Sequence, residues 1–305
     1  MKLYRSILFV PGNRAEWIDK APQYGADALI LDLEDAVPTD EKRQARVIVR
    51  EGIARLQQRG VPVVVRVNGL NTGLTAADLE AAVTAGVVAI AIPKLERREE
   101  VLKVDAWIEW FERKAGLPER TVEIVVLPET ARGIMNTYEL ATACPRVGNI
   151  AGGIAARSGD ITKAVGYQWT RASFETLYMA SHMLLAARAA GIEYPLNAGS
   201  LEVRDIDLVR AQLQRAREVG FRGAFAIHPT AVPIANAIFA PSPDEIAWNK
   251  GVLCAMAAAE QAGRAAVTYD GMMIDYAHVR NALDLLHQAE GFGIAVGNYP
   301  EVKAL

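Results

Sequence analysis

Short, strongly apolar runs recur along the chain, and each ends abruptly in a glycine, proline or polar residue. The clearest are LILDLED (Leu29–Asp35), VPVVVRVN (Val61–Asn68), VVAIAIPK (Val87–Lys94), VEIVVLPE (Val122–Glu129) and GAFAIHP (Gly223–Pro229). Several are β-branched and show no clean alternation, the pattern of parallel strands buried on both faces. Eight strands are predicted: Arg5–Val10, Ala28–Leu33, Val61–Val67, Val87–Ile92, Val122–Leu127, Val147–Ala151, Tyr194–Ala198 and Gly223–Ile227. The sixth and seventh carry the faintest pattern. Between them, apolar positions recur at the spacing of amphipathic helices, predicting Asp40–Arg59, Thr75–Ala85, Arg97–Lys114, Arg171–Ala190 and Asp205–Val219. Thr75 is expected to cap its helix, with Asp78 three residues on. Gly116, Gly191 and Gly220 supply stop signals.

Strand and helix thus alternate about eight times, which predicts an α/β fold, a TIM (β/α)₈ barrel spanning residues 1–241. After His228 the pattern changes. Prolines 229, 233, 241 and 243 punctuate the chain, and helices are expected at Asp244–Ala262 and His278–Gln288. Asp270-Gly271 between them is a strong turn signal. Residues 242–305 read as a C-terminal helical and hairpin extension, acting as a lid or an inter-subunit arm.

Composition narrows the function classes. Of 305 residues, 33 are Lys or Arg and 36 are Asp or Glu, a net charge of −3. That near balance argues against a nucleic-acid binder, although a local basic pocket remains compatible with gripping a phosphate. No apolar run approaches the ~18 residues of a membrane span. Cys144 and Cys254 have no CxxC spacing, which disfavours a disulfide scaffold or zinc knuckle. The first apolar run, Ile7–Val10, reads as a strand and not as a signal peptide. A cytoplasmic protein is expected.

In a barrel of this kind the C-terminal strand ends form the active rim. That places Glu34, Asp35, Arg66, Asn68, Lys94, Glu129, Asp160, Asn197 and His228 there. Glu129 and Asp160 fall on consecutive rim units. Two such carboxylates suit a hard divalent ion, or each pairs with Arg66 or Lys94. Arg66 is a planar fork suited to a substrate carboxylate, or it bridges to Glu34 or Asp35. Arg14 and Lys20 frame the first βα loop and either hold phosphate or are merely solvated. His228 is more ordinary as a hydrogen-bonded structural residue than as an acid or base, and His182 lies within a helix. Asp275, between Ile274 and Tyr276, is costly to bury without a partner or task; a turn or cap role is the plainer explanation.

The order of the motifs resembles the HpcH/HpaI aldolase and citrate lyase β-subunit superfamily, in particular its CitE-like acyl-CoA lyase branch. The resemblance rests on RSILFVPGNR (Arg5–Arg14), ALILDLEDAV (Ala28–Val37), VVVRVNG (Val63–Gly69), AIPK (Ala91–Lys94), PETARGIMN (Pro128–Asn136), GDITKAVG (Gly159–Gly166), LAARAAGI (Leu185–Ile192), AIHP (Ala226–Pro229) and DGMMID (Asp270–Asp275). It implies a magnesium ion, or manganese in its place, held by Glu129 and Asp160. It implies that Arg66 binds the substrate's carboxylate or carbonyl end, and that Glu34 and Asp35 order the metal's water shell. Arg14 and Lys20 would contact the phosphates of coenzyme A, carried as part of the substrate. Asp275 matches an acid that a neighbouring subunit's C-terminal arm supplies in malyl-CoA and citramalyl-CoA lyases, implying a homo-oligomer, a trimer or hexamer. The implied activity is reversible Claisen cleavage of a 3-hydroxy-3-carboxyacyl-CoA to acetyl-CoA and a 2-oxo acid.

Two segments depart from the family pattern. Gly153 to Asp160 carries an insertion, with Ile161 replacing the usual leucine, which bears on Asp160 as a ligand and on the pocket near Arg157. YPLNAGSLEVRD near strand seven also differs. Rival readings are a citrate lyase β subunit acting on an acyl-carrier-protein thioester, a malyl-CoA thioesterase or malate synthase-like enzyme, a free-acid aldolase, and a non-catalytic acyl-CoA-binding barrel.

Overall fold

In the computed structural model, which describes residues 1–154 and 159–302, the first eight strands close into a parallel barrel in sequential order. They are β1 (Ser6–Pro11), β2 (Ala28–Asp32), β3 (Val63–Arg66), β4 (Val87–Pro93), β5 (Glu123–Leu127), β6 (Val147–Gly152), β7 (Leu196–Asn197) and β8 (Gly223–Ala226). Every predicted strand is present within a few residues of its expected ends. β7 shrinks to two residues, in keeping with its faint pattern. Alternate strand residues meet inside the barrel. Ile7, Ile30, Val64, Ala91, Val125, Leu196 and Phe225 form one buried cluster there, with Phe9 edge-on to Phe225 at 5.2 Å between ring centres.

The predicted helices form at Lys42–Gln58, Thr75–Ala82, Arg98–Lys114, Phe174–Ala189 and Ile206–Val219. Short helices unmarked in the sequence reading appear at Ala15–Lys20, Ala131–Met135, Thr137–Ala141, Gly159–Val165 and Ala231–Phe239. The expected cap at Thr75 is corrected. Leu74 occupies the cap position with no side-chain hydrogen bond, and Thr75 Oγ1 donates to the Asn68 carbonyl. Asp78 has a different task from the expected one. It is fully buried, accepts from Asn68 N at 2.9 Å and Asn68 Nδ2 at 2.6 Å, and pairs with Arg46 Nε at 2.7 Å. It therefore fixes the loop that follows β3 to the helix beneath it.

The chain divides into two compact units, Met1–Ala237 and Ile238–Leu305. The second contains the helix Pro243–Gln261, the antiparallel hairpin β9 (Ala266–Tyr269) and β10 (Met272–Asp275), and the helix Tyr276–Gly291. Its own core gathers Val252, Leu253, Met256, Ile274, Val279 and Leu286. Asp270 and Gly271 both hold positive φ, 48° and 75°, in the expected turn. Among the described residues no helix is long and apolar enough to cross a membrane. Within the stretch from Gly153 to Asp160 expected to carry an insertion, residues 155–158, Arg157 among them, lie outside the described residues.

Removing the buried partner from a largely buried ionic network leaves the others uncompensated. Asp78→Ala is expected to destabilise the protein by about 3–5 kcal/mol, as measured by urea unfolding, with Arg46 and Asn68 left unsatisfied.

Candidate active site

The register of β2 against β3 sets Asp32 directly beside Arg66. Their side chains meet in a bidentate pair, Nε to Oδ1 and Nη2 to Oδ2, both at 2.7 Å. Asp32 is fully buried, and its two oxygens also accept from Glu34 N and Ala36 N. One carboxylate thus orients the arginine and folds the loop that presents Glu34 and Asp35. Gly12 allows this loop to pack tightly. Its N–H donates to the Asp32 carbonyl at 2.8 Å, and a Cβ there would lie 2.5 Å from that oxygen. Lys42 Nζ donates to the carbonyls of Leu33 and Glu34 and ties the loop down from below. Sequence reading passed over Asp32 because it lay within the apolar strand.

Arg66 makes a further contact. Its Nη1 lies 3.0 Å from Glu34 Oε2, an ion pair without hydrogen-bond alignment, and its guanidinium stacks over Phe9 at 4.8 Å. Burial alone would lower its pKa. The hydrogen bonds and charge of Asp32, then the charges of Glu34 and Glu129, outweigh burial and hold it above its ordinary value. Burial pushes the Glu34 carboxyl up, and Asp35 reinforces that, while Arg66 and Lys94 oppose it.

Glu129 follows β5 and precedes a helix capped by Thr130, whose side chain accepts from Gly133 N. Among the described residues, its Oε2 is buried without a hydrogen-bond partner. Burial pushes its carboxyl up to about 8, opposed by Arg66 and Lys94 and reinforced by Glu34 and Asp160. Asp160 stands in the first turn of the helix Gly159–Val165 and pairs with Lys94 Nζ at 3.1 Å. Asp32, Asp35, Arg66, Glu129 and Asp160 line one cavity of about 320 Å³, walled otherwise by apolar groups including Phe9, Leu127, Ile161, Leu201, Phe225 and Ile227. An unpartnered buried carboxyl beside a second carboxylate fits a divalent cation completed by water or substrate oxygens. Among the described residues no group of three or more His, Cys, Asp or Glu side chains forms a metal cluster, so Glu129 and Asp160 would act as a two-carboxylate set.

Other expected site residues lie elsewhere. Arg14 and Lys20 are exposed at the two ends of the helix Ala15–Lys20, and neither lines the cavity. Asn197 donates to Ile154 O and accepts from Ile154 N, a stitch between the sixth and seventh rim loops. His228 is exposed and bonds locally with Thr230. Asp275 is not buried, which corrects the premise that it needed a buried partner. It caps the helix Tyr276–Gly291, accepting from Ala277 N, with His278 in a reciprocal capping box. The hydrogen bond with the His278 side chain, then that from Ala277 N, hold its carboxyl below the usual aspartate range.

The HpcH/HpaI aldolase/citrate lyase family matches residues 5–229. The chain belongs to this family. It is 32% identical to the citrate lyase subunit beta of Leuconostoc mesenteroides subsp. cremoris over 98% of both chains. It is 33% identical to a (3S)-malyl-CoA thioesterase of Cereibacter sphaeroides, covering 94% of this chain and 95% of the relative. An L-malyl-CoA/beta-methylmalyl-CoA lyase of the same species is 33% identical over 94% of each. Among solved structures, CitE of Mycobacterium tuberculosis in complex with magnesium, acetoacetate and coenzyme A superposes with a TM-score of 0.72. It is 28% identical, with 93% of this chain and 97% of that one covered.

The raised Glu129 pKa has a stability consequence of definite sign. Between the ordinary value of 4.5 and about 8, the folded metal-free protein binds more protons than the unfolded chain, so stability falls as pH rises through that window. Chemical denaturation in EDTA from pH 5 to pH 8 is expected to show a decline of a few kcal/mol that Glu129→Gln largely removes.

Proposed function

We propose that this protein is a magnesium-dependent carbon–carbon lyase that reversibly cleaves a 3-hydroxy-3-carboxyacyl-CoA into acetyl-CoA and a 2-oxo acid. The observation that carries this reading is the buried Oε2 of Glu129, without a hydrogen-bond partner among the described residues, sharing one cavity with Asp160 and the oriented guanidinium of Arg66. Family membership supports it, as do the lyases among the relatives and the magnesium and coenzyme A named for the CitE structure. Malyl-CoA, citramalyl-CoA and citryl-CoA are the candidate substrates.

Glu129 and Asp160 would hold the ion, and Glu34 and Asp35 would order the water around it. When bound, the ion supplies Lewis acidity that stabilises the alkoxide and the oxo acid formed from it. Arg66 binds the substrate carboxylate. A guanidinium has five N–H donors. Three of them face Asp32 or Glu34, which leaves the other two for the ligand. Asp32 aims those two by locking the plane of the fork. Asp35 lines the cavity and accepts the substrate's hydroxyl proton. The C2–C3 bond then breaks, its electron pair passing to the thioester enolate as C3 becomes the carbonyl of the oxo acid. Asp275 returns a proton to C2 of the enolate, and removes it in the synthetic direction.

Asp275 belongs to the second compact unit, and its side chain is 46% exposed on its capping turn. We assign it to the active site of a neighbouring copy in a homo-oligomer, a trimer or hexamer. Arg14 and Lys20, exposed on the first βα unit, are assigned to the phosphates of coenzyme A. Thioester hydrolysis is the second reading, favoured by the similarity to the (3S)-malyl-CoA thioesterase.

A screen of (3S)-malyl-CoA, citramalyl-CoA and citryl-CoA with magnesium and with EDTA separates the two. The lyase reading expects stoichiometric 2-oxo acid that disappears in EDTA; free CoA without oxo acid would instead establish hydrolysis. Glu129→Gln is expected to abolish turnover, and Asp275→Asn to lower it by about 10²–10⁴-fold. Mixed oligomers of the two variants should regain part of the activity, because one site per pairing receives both intact groups. No recovery in mixed oligomers would count against donation across subunits.

A further inference from the structure

Lys94 follows β4 with its backbone at φ 60°, the left-handed region that residues other than glycine seldom enter. Such conformations persist where surrounding structure holds a side chain to a task. Here the Lys94 N–H is fastened to the Leu127 carbonyl of β5 at 2.9 Å. The ammonium reaches Glu34 Oε1 at 3.1 Å and Asp160 Oδ2 at 3.1 Å. It is 27% exposed and also borders a second cavity of about 490 Å³, lined by Glu34, Asp35, Lys42, Asn68 and Asn71 among others. Lys94 does not line the substrate cavity. It is a monovalent cation seated between two carboxylates at the edge of that cavity.

We propose that Lys94 is a positioning residue that serves as a resident counter-cation: it holds Asp160 and Glu34 in the metal-free protein and yields Asp160 to the divalent ion. This rests on Glu129 and Asp160 being the metal's carboxylates. An ammonium and a dication compete for the same Asp160 oxygen, and they also repel one another across a short distance. The strained backbone serves this exchange. It fixes the root of a long flexible side chain, so the ammonium keeps Glu34 as its second partner when Asp160 turns away. Glu34 stays paired throughout, and the metal enters a site whose acids are already gathered.

The test is Mn²⁺ binding, followed by electron paramagnetic resonance on the full chain, in wild type, Lys94→Met, Lys94→Asn, Lys94→Arg and Glu129→Gln. Asparagine tolerates left-handed backbone, so Lys94→Asn retains a folded comparison where methionine strains the turn. Lys94→Met and Lys94→Asn are expected to bind Mn²⁺ about tenfold more tightly than wild type, the scale of one unit charge removed from beside a dication at the cavity edge, where Lys94 and Asp160 are partly exposed to solvent. Lys94→Arg is expected to return the affinity towards wild type. Equal or weaker binding in both neutral variants, with wild type binding through Glu129, overturns the role of Lys94 and leaves the metal site standing. Wild type failing to bind Mn²⁺, or Glu129→Gln binding it equally well, overturns the metal site and the proposal together.

Discussion

The pair formed by Arg66 and Asp32 organises the rim of the barrel. Strand register makes them neighbours, and burial in a low-dielectric wall makes each the other's necessary partner. Everything polar around them follows from that pair. Asp32 uses the same two oxygens to take the N–H groups of Glu34 and Ala36, so the loop carrying the rim acids is folded by the residue that aims the arginine. Arg66 in turn faces Glu34 and raises the tolerance of the site for Glu129. A substitution at Asp32 would therefore disturb the direction of the guanidinium and the position of two acids at once.

The barrel was legible in the sequence because both faces of its strands are covered. Continuous apolar runs then replace alternation, and each run has a definite polar end. The same logic explains the faint and the missed elements. Strand β7 is two residues long, too short for any periodicity. The helices Ala131–Met135 and Thr137–Ala141 have five residues each, less than two turns, so a 3.6-residue repeat has no room to show itself. Thr75 had the right residue type for a cap, but the hydroxyl found a stronger local use on the Asn68 carbonyl.

For the site, the positions of Glu34, Asp35, Arg66, Glu129 and Asp160 at strand ends could be read from order alone, and the cavity gathers four of these five as its lining while Glu34 meets Arg66 beside it. The partnerships could not. Asp32 looked like part of a strand until register placed it opposite Arg66. The pairing of Asp160 with Lys94 was one of two open readings, and the choice depends on a left-handed backbone at residue 94 that no sequence pattern announces. For Asp275 the cost of burial was the wrong premise. The residue is half-buried, and capping explains its local conformation without excluding a second task for its carboxyl.

Charge balance links these observations to function. Arg66 is divided between Asp32 and Glu34, and Lys94 between Glu34 and Asp160. The two cations are thus committed to three acids, while Asp35 is exposed and Glu129 keeps a buried Oε2 without a hydrogen-bond partner among the described residues. A carboxyl in that position can stay protonated, which is why its pKa rises to about 8, or it can ionise against an added positive charge. The apolar walls around it strengthen either outcome, because they exclude the water that would otherwise screen the charge. A raised Glu129 pKa would make the metal-free fold less stable as pH rises towards 8, and the proposed cation site rests on that one buried carboxyl oxygen.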